Sequence, residues 1–200
     1  MSISKAYAIG ALMVLGGCDA ALLPSADGES VDRAVLQGGL TIKGPDGYCI
    51  DPETVQRSFR TTAVTLFSCA RLKNPDGADP TQGHVFTASA TRGQLDDPAA
   101  FAAFLTTDQG RAILSSTEDA ATVTVHRTRA TAVGVYVDYT DTSTPQHLGQ
   151  RQWRGFVKVD NQIAVLGLYQ GANDPVAGST GESALRSFAA EVISANLDQT

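Results

Sequence analysis

Two alternating runs of apolar and polar residues constrain the fold of this chain most strongly. They cover residues 152–159 and 162–169, and only Asp160-Asn161 separates them. A period of two is typical of strands with one buried face. The intervening dipeptide tolerates the positive φ that a two-residue hairpin turn requires. The cross-strand pairs predicted on one face are Trp153 with Leu168 and Val157 with Ala164.

Other segments indicate more strands before this hairpin. Residues 122–126 and 132–139 alternate in the same way, and shorter β-rich stretches cover residues 40–43, 48–51, 61–72 and 85–90. Together with the hairpin they predict one antiparallel sheet.

Two segments have helical patterns. Asp97-Pro98 supplies a favoured N-cap and a favoured first helical residue, which predicts one bent helix or two short ones after it. Ser179-Thr180-Gly181-Glu182 matches a capping box, and apolar residues at helical spacing follow it. The fold class expected is α+β, with a single antiparallel sheet flanked by helices and a C-terminal amphipathic helix.

The first 17 residues carry an export signal. Lys5 precedes the apolar run of residues 6–15, which is about half of the ~20 residues that a membrane-spanning helix needs and is typical of a signal peptide. The run ends in Leu15-Gly16-Gly17-Cys18, which resembles the bacterial lipobox of envelope lipoproteins. The alternative is an ordinary signal peptide with a chance cysteine.

The lipobox resemblance implies cleavage before Cys18 and attachment of the mature chain to the lipid bilayer by acyl chains on that residue. The protein would then face the periplasm, and Asp19 slightly favours the inner over the outer membrane. Residues 18–30 contain Pro, Gly, Ser and acidic residues without periodicity, which predicts a flexible tether. The alternative is that Leu22 and Leu23 pack against the domain. Residues 31–200 are expected to form a single domain.

Cys49 and Cys69 remain once Cys18 is lipidated. Two cysteines in an exported protein are usually paired, and closing a loop of about 20 residues stabilises the fold by about 3 kcal/mol. The alternatives are a redox pair or half of a metal site, although neither cysteine lies in a CxxC motif.

Composition and motifs argue against several function classes. A net charge of −6 does not favour nucleic-acid binding. His84, His126 and His147 lack the spacing of a metal site, and the sequence contains no GxSxG motif. We therefore expect no cofactor, no metal and no enzyme activity. The alternative is an enzyme whose site residues converge only in three dimensions.

The order of elements from Leu40 to Leu197 resembles that of the PsbP-like fold, which occurs in photosystem extrinsic subunits and other accessory proteins. No motif is shared, so no functional residue is carried over. The resemblance, the anchor and the compact domain together predict a non-catalytic interaction module that assists a membrane-protein complex. The alternative is a carrier of a lipid or other small apolar ligand in a cavity. The lining expected for that cavity is Phe101, Phe104, Trp153 and Phe188.

Two surfaces are candidates for partner contact. The second face of the hairpin combines aromatic, aliphatic and cationic residues, and aromatic residues and arginine are enriched at binding hot spots. Its members are Arg154, Phe156, Lys158, Ile163 and Tyr169. The alternative is that a helix or the tether covers this face. The other surface is a concentration of basic residues, which suits an anionic partner or lipid headgroups. Its members are Arg127, Arg129, Arg151, Arg154 and Lys158. The alternative is that these charges line exposed strands and oppose pairing at the edge of the sheet.

Overall fold

The structure is a computed structural model that describes residues 31–51, 56–57, 62–74, 84–172, 176 and 178–197. The predicted signal peptide, the predicted tether and the predicted lipidation site Cys18 lie outside the described residues. No helix among the described residues is long and apolar enough to cross a membrane.

The described residues form ten strands and four α-helices. The strands are β1 Arg33–Val35, β2 Thr41–Lys43, β3 Tyr48–Ile50, β4 Gln56–Arg57, β5 Thr62–Ser68, β6 Val85–Arg92, β7 Val123–Thr131, β8 Gly134–Asp141, β9 Leu148–Val159 and β10 Gln162–Gly171. The helices are α1 Cys69–Lys73, α2 Pro98–Phe104, α3 Asp108–Leu114 and α4 Gly178–Leu197.

The strands form a main antiparallel sheet in the order β3-β5-β6-β10-β9-β8-β7. β4 also pairs with β5, and β1 pairs with β2 in a separate small sheet. The α+β class and the antiparallel sheet predicted from the sequence are therefore confirmed. The hairpin register is confirmed as well, because Trp153 pairs with Leu168 and Val157 with Ala164 across β9 and β10.

Helices cover both faces of the sheet. α4 and the β1–β2 hairpin pack on the first face, over a core that includes Trp153, Leu168 and Phe188. α2 and α3 pack on the second face near β7 and β8, over a smaller core that includes Leu105 and Phe156.

Local sequence explains the short helices on the second face. The Asp97 carboxylate accepts a hydrogen bond from the Ala100 amide at 2.9 Å, and Pro98 is the first residue of α2. Thr107 caps α3 through the Gly110 amide at 3.2 Å. A Cβ on Gly110 would lie only 2.1 Å from the Phe104 carbonyl oxygen, so glycine allows the two helices to turn tightly against each other.

A disulfide joins Cys49 in β3 to Cys69 at the start of α1, with the two Cα atoms 4.9 Å apart. This confirms the predicted pairing. At the other end of the chain, the Asn196 side chain of α4 bonds both backbone groups of Thr41 in β2, at 2.9 and 2.8 Å. The small sheet is therefore tied to the C-terminal half of α4.

Candidate functional site

An open groove of about 510 Å³ lies between the edge strand β7 and the first half of α4. We call it the arginine groove. Three arginines, three serines, one glutamate and one alanine line it: Arg127, Arg129, Ser179, Glu182, Ser183, Arg186, Ser187 and Ala190.

Local geometry explains why these side chains meet. The register of β7 shifts between Val125 and Arg127, and beyond this irregularity Arg127 pairs with Asp138 and Arg129 with Tyr136. Both arginines thereby lie on the face of the sheet that α4 covers. The α4 residues of the groove recur at intervals of three and four, so they share one side of the helix.

Glu182 joins the two walls of the groove. Its carboxylate accepts from Arg127 Nη2 at 2.5 Å and from Arg129 Nε at 2.6 Å. The Glu182 side chain is only 10% exposed, whereas the two arginine side chains are 45% and 48% exposed. The arginines therefore neutralise a nearly buried carboxylate and still present part of each guanidinium to solvent.

These ion pairs correct the capping-box prediction. α4 already begins at Gly178, so Ser179 lies inside the helix, and Glu182 is directed to β7 instead of to the helix start. Two charge-assisted contacts across the groove are stronger than one local cap, which explains the difference.

Asp138 and Arg151 form a second ion pair beside the groove. Arg151 donates from Nε and Nη2 to the two oxygens of the buried Asp138 carboxylate, at 2.9 and 2.8 Å. The hydrogen bonds with Asp138 raise the pKa of the Arg151 guanidinium. A Cβ on Gly178 would lie 2.3 Å from Arg151 Nη2. The Arg151 guanidinium therefore lies close against the first residue of α4.

Arg186 is the cation of the groove that the sequence interpretation missed. It is exposed and forms no ion pair with any described residue. Burial raises the pKa of the neighbouring Tyr136, and the charge of Arg186 opposes that rise. With three arginines against one glutamate, the groove is positive in a chain whose net charge is −6. Guanidinium groups and serine hydroxyls can together bind carboxylate or phosphate oxygens.

The prediction of a partner face on the second face of the hairpin is wrong, because its five residues do not form a single exposed surface. Phe156 is only 6% exposed and packs edge-on against Phe101 of α2, with ring centroids 5.0 Å apart. Arg154 is half-buried and donates to the Ile113 carbonyl of α3 at 3.0 Å. Of the other members, Ile163 and Tyr169 are half-buried and Lys158 is exposed. The face is not exposed because α2 and α3 cover it.

Arg154 is further held by aromatic residues on that second face. Its guanidinium lies 5.6 Å from the centre of the Tyr139 ring. The Tyr139 hydroxyl donates to Gln152 at 2.9 Å, and burial raises the pKa of this tyrosine. Arg154 therefore has a structural role and is separated from the groove by the sheet.

The basic concentration predicted from the sequence is divided by the sheet. Arg127 and Arg129 line the groove, and Arg151 lies behind it on the same face. Arg154 and Lys158 lie on the opposite face, because Lys158 pairs with Ile163 in the register that places Phe156 there. The two groups therefore do not form one patch.

The cavity expected for an apolar ligand is not lined as predicted. Phe101 and Phe104 belong to the core under α2, whereas Trp153 and Phe188 belong to the core under α4. The sheet lies between the two pairs. Beside Trp153, the enclosed space between β7, β8 and α4 is too small to admit a water molecule.

The described residues contain no group of three or more His, Cys, Asp and Glu that could hold a metal ion. His126 is exposed on β7 and its Nε2 lies 2.8 Å from the Thr140 hydroxyl, as expected for a residue on a solvated strand. No family model matches this chain, and no curated protein is significantly similar to it.

Proposed function

We propose that this chain is an envelope lipoprotein, attached to the periplasmic side of a membrane through acylated Cys18, that acts without catalysis as an accessory module of a membrane-protein complex. The inner membrane is the favoured location because of Asp19. The arginine groove is the surface through which the module contacts its partner.

The signal pattern and the disulfide together support a location in the periplasm. The lipobox-like sequence ends at Cys18, and the domain joins Cys49 to Cys69. Disulfides form and persist in oxidising compartments such as the periplasm. A disulfide between the only other cysteines agrees with export of the chain.

The main support for the contact role is the open, positively charged groove in a chain whose net charge is negative. Arg127 and Arg129 are anchored by Glu182 yet about half exposed, and Arg186 is exposed beside them. Anchored arginines lose little side-chain freedom on binding, which favours them as contact residues. The carrier hypothesis has no comparable support, because its four aromatic residues lie on opposite sides of the sheet.

The test is site-specific photo-crosslinking in native membranes. A benzoylphenylalanine at Ser183, exposed in the groove, should form a discrete adduct with a membrane protein. The same group at Ala103, exposed on α2 across the sheet, is the matched control and should not. Arg186→Glu should abolish the Ser183 adduct. Equal adducts from both positions, or an adduct indifferent to Arg186→Glu, would contradict the proposed contact surface.

A further inference from the structure

β7 ends the main sheet, and no described residue pairs with its outer edge. It is nine residues long, and its exposed residues include Thr124, His126, Arg129 and Ala130. An open strand edge presents unpaired N–H and C=O groups, so it can accept a further strand from another chain.

The charges along this edge select against pairing with a second copy. Two antiparallel β7 edges would bring Arg127 and Arg129 of one chain near those of the other, and opposed like charges destabilise a strand pair. The interruption of the ladder between Val125 and Arg127 also makes the edge irregular. A strand that carries carboxylates has the complementary charge.

The groove lies where the side chains of such a strand would project. A strand added to β7 runs about 4.8 Å beyond it, and every second side chain would lie on the face of Arg127 and Arg129. There the exposed side of α4 supplies Arg186 and the hydroxyls of Ser183 and Ser187. Backbone pairing would give affinity, and the groove would select acidic side chains.

The geometry points to β-strand addition: an extended acidic segment of the partner pairs with the outer edge of β7 and places alternate carboxylates in the arginine groove. This inference rests on the proposed contact role of the groove and specifies the chemistry of what binds there.

The probe is a fluorescein-labelled peptide of nine alternating aspartate and valine residues, matched to the length of β7. It is titrated against the mature full chain, purified from membranes in detergent, with fluorescence anisotropy as the readout. We expect binding that weakens with salt and no binding of the corresponding lysine–valine peptide. Short-chain phosphatidylglycerol in the same detergent serves as a competitor, because lipid headgroups also carry anionic oxygens.

Two variants make the charge test specific. Arg186→Glu reverses a groove charge that has no ion-pair partner among described residues, whereas Lys158→Glu makes the same change on the opposite face. Arg186→Glu should weaken peptide binding about tenfold, as expected for one reversed charge within a few ångströms of a carboxylate. Lys158→Glu should leave the affinity unchanged.

Amide hydrogen exchange separates strand addition from simple charge attraction. Bound peptide should slow exchange in β7, Val123–Thr131, and leave β3 at the other edge of the sheet unchanged. Arg186-dependent binding without protection in β7 would overturn strand addition. So would groove-dependent binding of phosphatidylglycerol with no binding of the peptide.

These outcomes are distinguishable from failure of the proposed function. If no peptide binds while the Ser183 adduct still depends on Arg186, strand addition is wrong and the contact role of the groove stands. If the adduct is also absent, both are wrong.

Discussion

Asp141 lies at the end of β8, where its fully buried carboxylate joins two loops. One oxygen accepts from the Ser143 amide at 2.9 Å and the Ser143 hydroxyl at 2.6 Å. The other oxygen accepts from the Ser116 amide, after α3, at 2.7 Å. Burial alone would raise the pKa of this carboxyl, but the hydrogen bonds from Ser143 and Ser116 outweigh burial and lower it to about 2.

The size and sign of the pH effect follow from that shift. A fall from the ordinary value of 3.8 to about 2 corresponds to about 2 kcal/mol in the free energy of unfolding. Because the pKa of Asp141 is lower in the folded state, this stabilisation is fully present at pH values above the pKa of the unfolded chain. It is lost as the pH falls from 3.8 towards 2. Asp141→Asn removes the charge and turns an amide N–H towards the Ser116 donor, so it should cost a similar amount at pH 6.

The assay is urea unfolding of wild type and Asp141→Asn between pH 6 and pH 2. The free energies of unfolding of the two proteins should differ by about 2 kcal/mol at pH 6, and this difference should shrink steadily below pH 4. Asp96→Asn, at an exposed position, is the matched control and should follow wild type. A difference that stays constant down to pH 2 would show that the Asp141 charge is not what stabilises the fold.

Three further variants test the disulfide and the packing. Replacing Cys49 and Cys69 with serine should lower the free energy of unfolding by about 3 kcal/mol in urea denaturation, because the unfolded chain without the disulfide regains loop entropy. Phe156→Ala should cost about 3–5 kcal/mol in the same assay because the side chain is buried under α2. Gly181→Ala would place a Cβ 2.3 Å from the Trp153 ring and should cost about 1–3 kcal/mol through overpacking.

Matched controls identify the cause of each loss. A reducing agent should destabilise wild type but not the variant that lacks Cys49 and Cys69. Lys158→Ala changes an exposed residue of the same strand as Phe156, and Ser183→Ala an exposed residue near Gly181 in α4. Both should stay within about 0.5 kcal/mol of wild type. A Phe156→Ala variant as stable as Lys158→Ala would mean that α2 does not cover this face.

Short-range features were the most predictable from the sequence. The register of β9 and β10 depends on a two-residue turn and on local alternation, so both cross-strand pairs could be assigned in advance. Asp97 and Pro98 likewise marked the start of α2 through local chemistry. The disulfide followed from the number of cysteines and the expected compartment.

Long-range packing explains what the sequence interpretation missed. The aromatic and charged residues on the second face of the hairpin indicated an exposed surface. However, α2, more than 40 residues earlier in the chain, covers Phe156. Glu182 fits a local capping box, yet it pairs with arginines more than 50 residues away. Arg186 carries no local signal, because its role depends on where α4 lies relative to β7.

Lipidation of Cys18 is the claim on which the proposed role at the membrane most depends, and metabolic labelling with a palmitate analogue tests it directly. Wild-type protein should be labelled and membrane-bound, with an N-terminal diacylglyceryl cysteine in the intact mass of the mature chain. Cys18→Ser should lose the label and accumulate as uncleaved precursor or as soluble protein. Unchanged labelling of Cys18→Ser, or an unlabelled mature wild-type chain that begins at another residue, would contradict the assignment.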